Sequence, residues 1–142
     1  AEHGHQAVAE VTVDGGAVQP RDVMAALNAV FAMREAAIAA TTKFDFVISP
    51  TSPILAYEAE HAAPGNDPRN ALPHIAFTVA YNMSEQPAAS LNWNTSAMQE
   101  SAGLPIGVQV IGRRFDDVGV LKLARVLETL RPAQQAWPEP FK

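Results

Sequence analysis

Serines, lysines and histidines, whose side chains could attack a carbonyl, accept a proton or bind a metal ion, are few in this chain. The six serines are never adjacent, and the three lysines fall at a predicted helix end, on a predicted helix and at the C-terminus. His3 and His5 stand near a terminus, where two histidines bind a metal only adventitiously, and His61 has no nucleophile near it. We therefore expect no metal site and no cofactor.

The composition of the chain excludes several classes of binding partner. The net charge is −5, the pI is about 5.2 and the lysines and arginines are dispersed, so we expect no nucleic-acid partner. The absence of cysteine excludes disulfides and thiolate metal sites and favours a reducing, cytoplasmic setting. No apolar stretch is expected to span a membrane, so we predict no membrane partner.

A flexible tail and a long helix are predicted for the first 42 residues. Residues 1–19 are small and polar without a sustained period, which indicates the tail. Residues 20–42 have Pro20 in the first turn and Asp22 near the positive end of the helix dipole. Apolar residues recur at helical spacing and predict a core-facing stripe. They are Val23, Met24, Leu27, Val30, Phe31 and Ile38.

A strand and a proline-rich turn are predicted for residues 44–53. The apolar strand, residues 46–49, is stopped by Pro50 and Pro53, which cannot lie inside a sheet ladder. Residues 54–70 then predict an irregular loop. We expect Asp67 or Asn70 to cap a helix that runs to about residue 80.

Three further elements complete the predicted fold. Residues 89–93 and 106–111 predict adjacent antiparallel strands, because only about a dozen residues separate them. Within the second strand, Gly107 and Gln109 share one face, which suits close approach of another segment or a polar site. The strongly apolar residues 116–131 predict a closing helix that a sheet must cover. The fold class is α/β, with a mixed β-sheet covered by helices.

Five segments, in order, resemble the amidase signature family. Residues 103–112, Gly-Leu-Pro-Ile-Gly-Val-Gln-Val-Ile-Gly, are similar to the family's C-terminal signature. Residues 44–51 resemble its strand that ends in Pro-Thr, and residues 77–88 its Thr, Asn and Gln-Pro-Ala segment. Residues 115–130 resemble its closing helix and residues 137–140 its tail. The resemblance identifies residues 20–142 as a C-terminal fragment of the amidase signature fold.

The resemblance also implies a chemistry whose residues are missing here. The family hydrolyses amides with a Ser, cis-Ser, Lys triad held in a glycine- and serine-rich N-terminal half. This chain has no such stretch, and none of its lysines matches the catalytic one. The implied partners are therefore the N-terminal catalytic half of the same enzyme and, in the complete enzyme, a small-molecule amide.

Substrate-binding residues are expected among those the family motif contains. Thr78 and Asn82 belong to the Thr and Asn segment, and Asn82 could fix a loop or bind a substrate carbonyl. Trp93 is either a core aromatic or a wall of the substrate pocket. In relatives that serve glutamyl-tRNA amidotransferases an acidic residue precedes the threonine by three, whereas here Ile75 stands there. That departure favours a general amidase with a more apolar pocket.

Two functions remain open from the sequence. The chain is either the C-terminal part of an amidase, inactive alone, which completes the sheet and one side of the acyl pocket, or a non-catalytic binding or assembly module with the same fold. In both cases a sheet severed from a larger protein exposes strand edges and apolar faces. We therefore expect a homo-oligomer, formed either through residues 46–49, 106–111 and the helix at 118–130 or by exchange of the N-terminal helix. The alternative is a monomer in which the loop and tail fold over the gap.

Overall fold

The computed structural model describes residues 18–61, 63–67, 70, 72–98 and 103–134. The predicted tail up to residue 17, with His3 and His5, and the tail motif at residues 137–140 lie outside these ranges. The elements are helix α1, strand β1, helix α2, strands β2 and β3, and helix α3. Their bounds are Pro20–Thr41, Phe46–Pro50, Val79–Ser84, Ala88–Thr95, Pro105–Gly112 and Asp117–Leu130.

Helix α1 begins and ends through local hydrogen bonds. The Gln19 backbone N–H donates to the Asp22 carboxylate at 3.0 Å, and Pro20 occupies the first turn, where its missing N–H costs nothing. At the other end, the Thr42 hydroxyl donates to the Ile38 carbonyl at 2.7 Å. The helix therefore occupies almost the span that the sequence predicts.

The apolar stripe of α1 is not in a core, which corrects the sequence expectation. No residue of α1 is buried, and Val23, Met24, Leu27 and Phe31 are 46 to 57% exposed. Half-buried positions begin only at Val30, because the C-terminal half of the helix packs on α2 while the first half contacts little. The part of the chain that the structure describes supplies no partner for this stripe.

Helix α1 also corrects the expectation that no stretch could span a membrane. It has 22 residues, an 18-residue stretch of mean hydropathy 1.5, and only 6% of that stretch is buried. Length and composition therefore permit a membrane crossing. The core helix of a larger protein passes the same test, so the partner of α1 must be identified from other observations.

The three described strands form one antiparallel sheet in the order β1-β3-β2. Val110 of β3 pairs with Ile48 on one side and Ala89 on the other. A bulge between Asn92 and Asn94 shifts the register of β2 at Trp93. Because β3 is central, residues 106–111 are not a free edge, which corrects part of the association hypothesis. Among the described strands, the edges are β1 and β2.

Helix α3 covers one face of the sheet and forms the hydrophobic core with it. Asp116 caps the helix by accepting a hydrogen bond from the Gly119 backbone N–H at 3.0 Å. The side chains packed at this face give a layered α/β arrangement, as the sequence predicts. They are Leu91, Val110, Val120 and Ala124, with Phe46, Ala89, Leu123 and Leu127 around them.

The opposite face of the sheet is more polar, and the segment at residues 74–77, just before helix α2, is hydrogen-bonded on this side. The helix predicted up to residue 80 is wrong for most of its length: a 3-10 turn spans Pro73–Ile75 and the α-helix starts only at Val79. Pro73 explains the difference, since it has no N–H for a helix-interior hydrogen bond and instead occupies the first position of the 3-10 turn. The segment therefore brings His74 and Phe77 towards the sheet instead of a regular helical face.

Candidate functional site

A cavity of about 600 Å³ lies between the polar face of the sheet and the segment that follows β1. Its volume is in the range of small-molecule pockets. Three stretches of chain line it: the proline-containing turn at residues 51–57, His74, and neighbouring positions of β2 and β3 around Ser90 and Gly107. The cavity is therefore built where the loop after an edge strand folds back over the sheet.

The floor of the cavity is a pair of hydroxyl groups above a glycine. Thr51 Oγ1 and Ser90 Oγ lie 2.8 Å apart, and the Thr51 backbone N–H donates to the Gly107 carbonyl at 3.0 Å. A Cβ on Gly107 would lie 2.7 Å from Thr51 Oγ1 and 3.1 Å from Thr51 Cβ. The prediction that another segment crowds Gly107 is confirmed, and the crowding groups are the side chains of Thr51, directly after β1, and of Ser90 in β2.

Two aromatic rings form a wall of the cavity. The rings of Tyr57 and His74 meet edge to face, with centroids 6.1 Å apart and planes at 68°. The Ser52 hydroxyl donates to the His74 carbonyl at 3.3 Å, which ties this wall to the turn after β1. His74 Nδ1 is buried and has no hydrogen-bond partner in the described structure. Buried polar atoms without a hydrogen-bond partner are uncommon in folded proteins.

Gln109 anchors the same polar face of the sheet. Its side chain is 3% exposed, and Nε2 donates to Ser49 Oγ at 2.9 Å and to the Phe77 carbonyl at 2.6 Å. These bonds connect β3 to β1 and to the turn that carries His74. Gln109 therefore holds strand β1 and the turn before α2 against β3.

The described serines do not form a catalytic constellation. Ser84 is fully buried and donates to Gln86 Oε1 at 2.9 Å, while the Ser49 hydroxyl accepts from Gln109. Lys43 lies over the Phe44 ring, and Lys122 is on α3 at the other face of the sheet. No lysine is among the described residues that line the cavity. In the described ranges, no group of three His, Cys, Asp or Glu could hold a metal ion either.

A polar cluster that the sequence analysis missed joins α1, α2 and the turn after β3. Glu85, at the C-terminal cap of α2 with φ 58°, accepts two hydrogen bonds from Arg34 at 2.9 and 2.8 Å and another from Arg114. The neighbouring Gln86 donates to the Gly112 carbonyl at 3.0 Å and to Thr41 Oγ1 at 3.2 Å. The Gln-Pro-Ala motif therefore contributes a structural clamp in this chain.

The structure does not bring the predicted site residues to the main cavity. The Thr78 hydroxyl donates to the Ile75 carbonyl at 3.1 Å, and Ile75 itself is half-buried in the preceding turn. Asn82 is exposed and lines a second cavity of about 410 Å³. Trp93 is half-buried at the β2 bulge, where its carbonyl accepts from Gln134 at 3.3 Å. Their substrate-binding roles stay predictions.

The residues that do meet at the cavity gave little signal in the sequence. Tyr57 and His74 are separated by 16 positions in the sequence, and Ser90 lies in strand β2. Only the Pro-Thr turn at residues 50 and 51 and the glycine in β3 were visible as motif positions. The contact between the Tyr57 and His74 rings depends on the path of the segment between them, and no periodic pattern in the sequence predicts that path.

Comparison with known proteins gives the family. A sequence model described as Amidase matches residues 14–121. A glutamyl-tRNA(Gln) amidotransferase subunit of Thermodesulfovibrio yellowstonii is 34% identical over 96 residues, which are 68% of this chain and 19% of that protein. The corresponding protein of Pseudothermotoga lettingae is 37% identical over 89 residues, or 63% of this chain and 17% of that protein.

Solved structures agree with the sequence match. The corresponding glutamyl-tRNA(Gln) amidotransferase protein from Thermotoga maritima superimposes with a TM-score of 0.70 and 26% identity over 96% of this chain. A 6-aminohexanoate cyclic dimer hydrolase gives a TM-score of 0.73 and 25% identity, also over 96% of this chain. The chain covers 30% of each solved chain and about a fifth of the first curated relative. Since the family match extends from before α1 to beyond β3, the chain belongs to the amidase signature family and has the fold of one part of it.

Proposed function

We propose that this chain is the C-terminal part of an amidase signature hydrolase that cleaves carboxylic amides. In the complete enzyme it extends the sheet and supplies one side of the acyl pocket. The proposal rests on the cavity over the polar face of the sheet, which is lined by Thr51, Ser90 and Gly107. The cavity has the size of a small-molecule pocket, and the chain around it has the fold of part of an amide-cleaving enzyme. The hydroxyl pair and His74 give that pocket a polar end, and the turn after β1 gives it an apolar wall.

The catalytic groups belong to the part of the enzyme outside this chain. A serine nucleophile requires a base that can take its proton, and a lysine serves that purpose in the family the sequence resembles. Ser90, at the cavity floor, is bonded to Thr51 and has no lysine among its described cavity neighbours. The chain alone is therefore proposed to bind and position the acyl group without hydrolysing it.

Helix α1 supplies the surface for the N-terminal catalytic half. Its exposed apolar residues Val23, Met24, Leu27 and Phe31 form a stripe that nothing in the described chain covers. The amidase match includes all of α1, which favours a helix packed inside a larger amidase domain over a membrane crossing. We therefore propose a cytoplasmic setting without membrane contact, in which the isolated chain buries the same stripe by self-association.

Reconstitution tests the proposed function. The chain is co-expressed with a 6-aminohexanoate cyclic dimer hydrolase from which the superimposable region has been removed, and the purified material is assayed with p-nitroacetanilide. We expect the two polypeptides to co-elute and to release p-nitroaniline, whereas either one alone releases none.

A matched control carries Leu27→Glu and Phe31→Glu, which place charges in the α1 stripe and should abolish co-elution. If the wild-type chain neither co-elutes with the catalytic portion nor restores activity, the amidase proposal fails. If it co-elutes but restores activity towards no amide tested, the outcome supports the binding or assembly module instead.

A further inference from the structure

We propose that Glu85 is a positioning residue, which fixes the direction of helix α1 and thereby presents the α1 stripe to the N-terminal catalytic half. The identity of that partner rests on the proposed function, whereas the direction of the helix is a property of this chain alone. The two parts are therefore tested by separate measurements.

The first half of α1 is a free arm. Every residue from 20 to 29 is exposed, and the half-buried positions begin at Val30. At about 1.5 Å per residue this arm is about 15 Å long, and it carries most of the stripe. A rotation of about 10° at its base would move its end by about 3 Å. Since a gap of about 1 Å already weakens a dispersion contact substantially, the direction of α1 decides whether the stripe meets its partner.

Apolar packing alone fixes this direction poorly. The half-buried positions of α1 lie on one face, and they are Val30, Arg34, Ala37, Ile38 and Thr41. No residue of the helix is fully buried, so no side chain is locked in a close-packed interior. Close packing is what gives a contact between two elements a single arrangement. Directional contacts must therefore specify how α1 lies on α2.

Two side-chain contacts of this kind join α1 to other elements of the described structure. Thr41 Oγ1, at the end of the helix, accepts from Gln86 Nε2 at 3.2 Å. Seven residues earlier, Arg34 donates two hydrogen bonds to the Glu85 carboxylate, at 2.9 and 2.8 Å. The two contacts are separated by about 10 Å along the helix axis. One contact would act as a pivot, whereas a second one at this distance sets the direction of the helix.

Arg114 holds the Glu85 carboxylate from the side of the sheet. It donates to the same carboxylate, and its guanidinium group lies 4.8 Å from the centroid of the Phe115 ring, in the turn after β3. The side chains of Arg34 and Arg114 are only 26% and 29% exposed, so solvent screens these contacts less than those of a fully exposed pair. Paired N–H···O bonds between guanidinium and carboxylate also have a fixed geometry. Glu85 therefore connects the direction of α1 to the sheet.

The backbone of Glu85 supports a role for its side chain. With φ 58° and ψ 30°, the residue has the left-handed conformation that glycine adopts most easily at the end of a helix. Glycine would cap α2 at a lower cost, but it has no carboxylate for the two arginines. Strained conformations persist where the surrounding contacts impose them, and they concentrate at functional positions.

The first measurement is a distance within the 142-residue chain. The sequence contains no cysteine, so spin labels can be attached to Arg21→Cys, near the start of α1, and Lys122→Cys, on α3, both of which are exposed. The background Leu27→Glu with Phe31→Glu adds charges that should prevent self-association. We expect pulsed EPR to give one narrow distance distribution, which Glu85→Gly and Glu85→Ala should broaden by about 3 Å or more.

The second measurement is the Kd between the 142-residue chain, without labels or added charges, and the truncated 6-aminohexanoate cyclic dimer hydrolase of the reconstitution. If α1 without its clamp has the docking direction for about a tenth of the time, the Kd should rise about tenfold. Glu85→Gly, Glu85→Ala and Arg34→Gln should all show this rise, because each removes the same contact. The matched control is Arg125→Gln, which removes an arginine–glutamate pair within α3 and should leave the Kd unchanged.

Glycine and alanine at position 85 separate positioning from stability. Both remove the carboxylate, but only glycine relieves the left-handed strain, so Glu85→Gly should unfold at a higher urea concentration than Glu85→Ala. A positioning role predicts equal losses of docking in the two variants. Docking that follows stability instead, with Glu85→Gly close to the wild type and Glu85→Ala impaired, would overturn the proposal.

The proposal is also overturned if a folded Glu85→Gly variant keeps the narrow distance distribution or the wild-type Kd. If neither Glu85 variant folds, Arg34→Gln takes their place in both measurements. A wild-type chain that does not bind the truncated hydrolase would remove the proposed function and, with it, the partner named here. A broadened distance in Glu85→Gly would still retain the positioning role of Glu85 in that case.

Discussion

Replacement of Gly107 by alanine tests how the cavity floor is built. The new Cβ would lie 2.7 Å from Thr51 Oγ1, 3.1 Å from Thr51 Cβ and 3.2 Å from Ser90 Oγ. Thr51 cannot yield easily, because its backbone N–H is bonded to the Gly107 carbonyl at 3.0 Å and its γ-branch is held by Ser90 at 2.8 Å. Relief of the contact therefore requires a shift of the β1 end or the loss of the hydroxyl pair.

Three contributions set the change in the free energy of unfolding that Gly107→Ala should cause. Overpacking costs about 1 to 3 kcal/mol, and loss of the hydroxyl hydrogen bond adds about 1 kcal/mol. Alanine recovers roughly 0.5 to 1 kcal/mol of the conformational entropy that glycine loses in a strand. We expect Gly107→Ala to lower the free energy of unfolding by about 1 to 3 kcal/mol and Gly107→Val to lower it further.

Urea unfolding monitored by circular dichroism measures the change, and a double-mutant cycle identifies its source. In a Thr51→Ala background the 2.7 Å contact with Oγ1 no longer exists, so Gly107→Ala should cost at least about 1 kcal/mol less there. An equal cost in both backgrounds, or an unchanged unfolding midpoint for Gly107→Ala, would refute the close-contact explanation.

Three further predictions concern the rest of the chain. The chain alone should release no p-nitroaniline from p-nitroacetanilide, because Ser84 is buried and Ser49 is bonded to Gln109; hydrolysis that Ser49→Ala or Ser84→Ala abolishes would contradict this. Glu85→Gln should lower the free energy of unfolding, measured in urea, by about 1 to 2 kcal/mol, because it weakens the contacts of Glu85, a 56% exposed side chain, with two arginines. The control Asp45→Asn, at an exposed ion pair, should change that free energy by under about 0.5 kcal/mol. Equal effects of the two substitutions would show that the Glu85 contacts with the arginines do not stabilise the fold. Size-exclusion chromatography with light scattering should give about twice the 15.2 kDa chain mass, and Leu27→Glu with Phe31→Glu should halve it; a wild-type monomer would rule out association through α1.

The elements with strong local periodicity were predictable from the sequence. Helix α1, the three strands and α3 all lie within a few residues of their expected positions, because proline, glycine and apolar spacing mark them. The helix before residue 80 was mispredicted because Pro73 outweighed the capping residues upstream. These features depend on interactions within a few residues, which a sequence shows directly.

The features that could not be predicted depend on contacts between distant segments. Tyr57 and His74 meet only because an irregular loop returns to the sheet, and Glu85 meets Arg34 across 51 positions. The exposure of α1 was missed for a different reason, since a helical stripe shows which face is apolar but not whether its partner lies in the same chain. Long-range pairing and absent partners leave no periodic pattern.

The strand order has a consequence for how the chain is made. Strand β1 leaves the ribosome first among the strands, but its neighbour in the sheet is β3, which is completed only at Gly112. At roughly 5 to 20 residues per second, the 62 residues from 51 to 112 take on the order of 3 to 12 seconds to synthesise. During that interval the apolar Phe46-Val47-Ile48 segment lacks its β3 partner, while Pro50, which has no N–H, removes one hydrogen-bond donor from the strand. We expect this proline to limit mispairing of the growing chain as well as to end the strand.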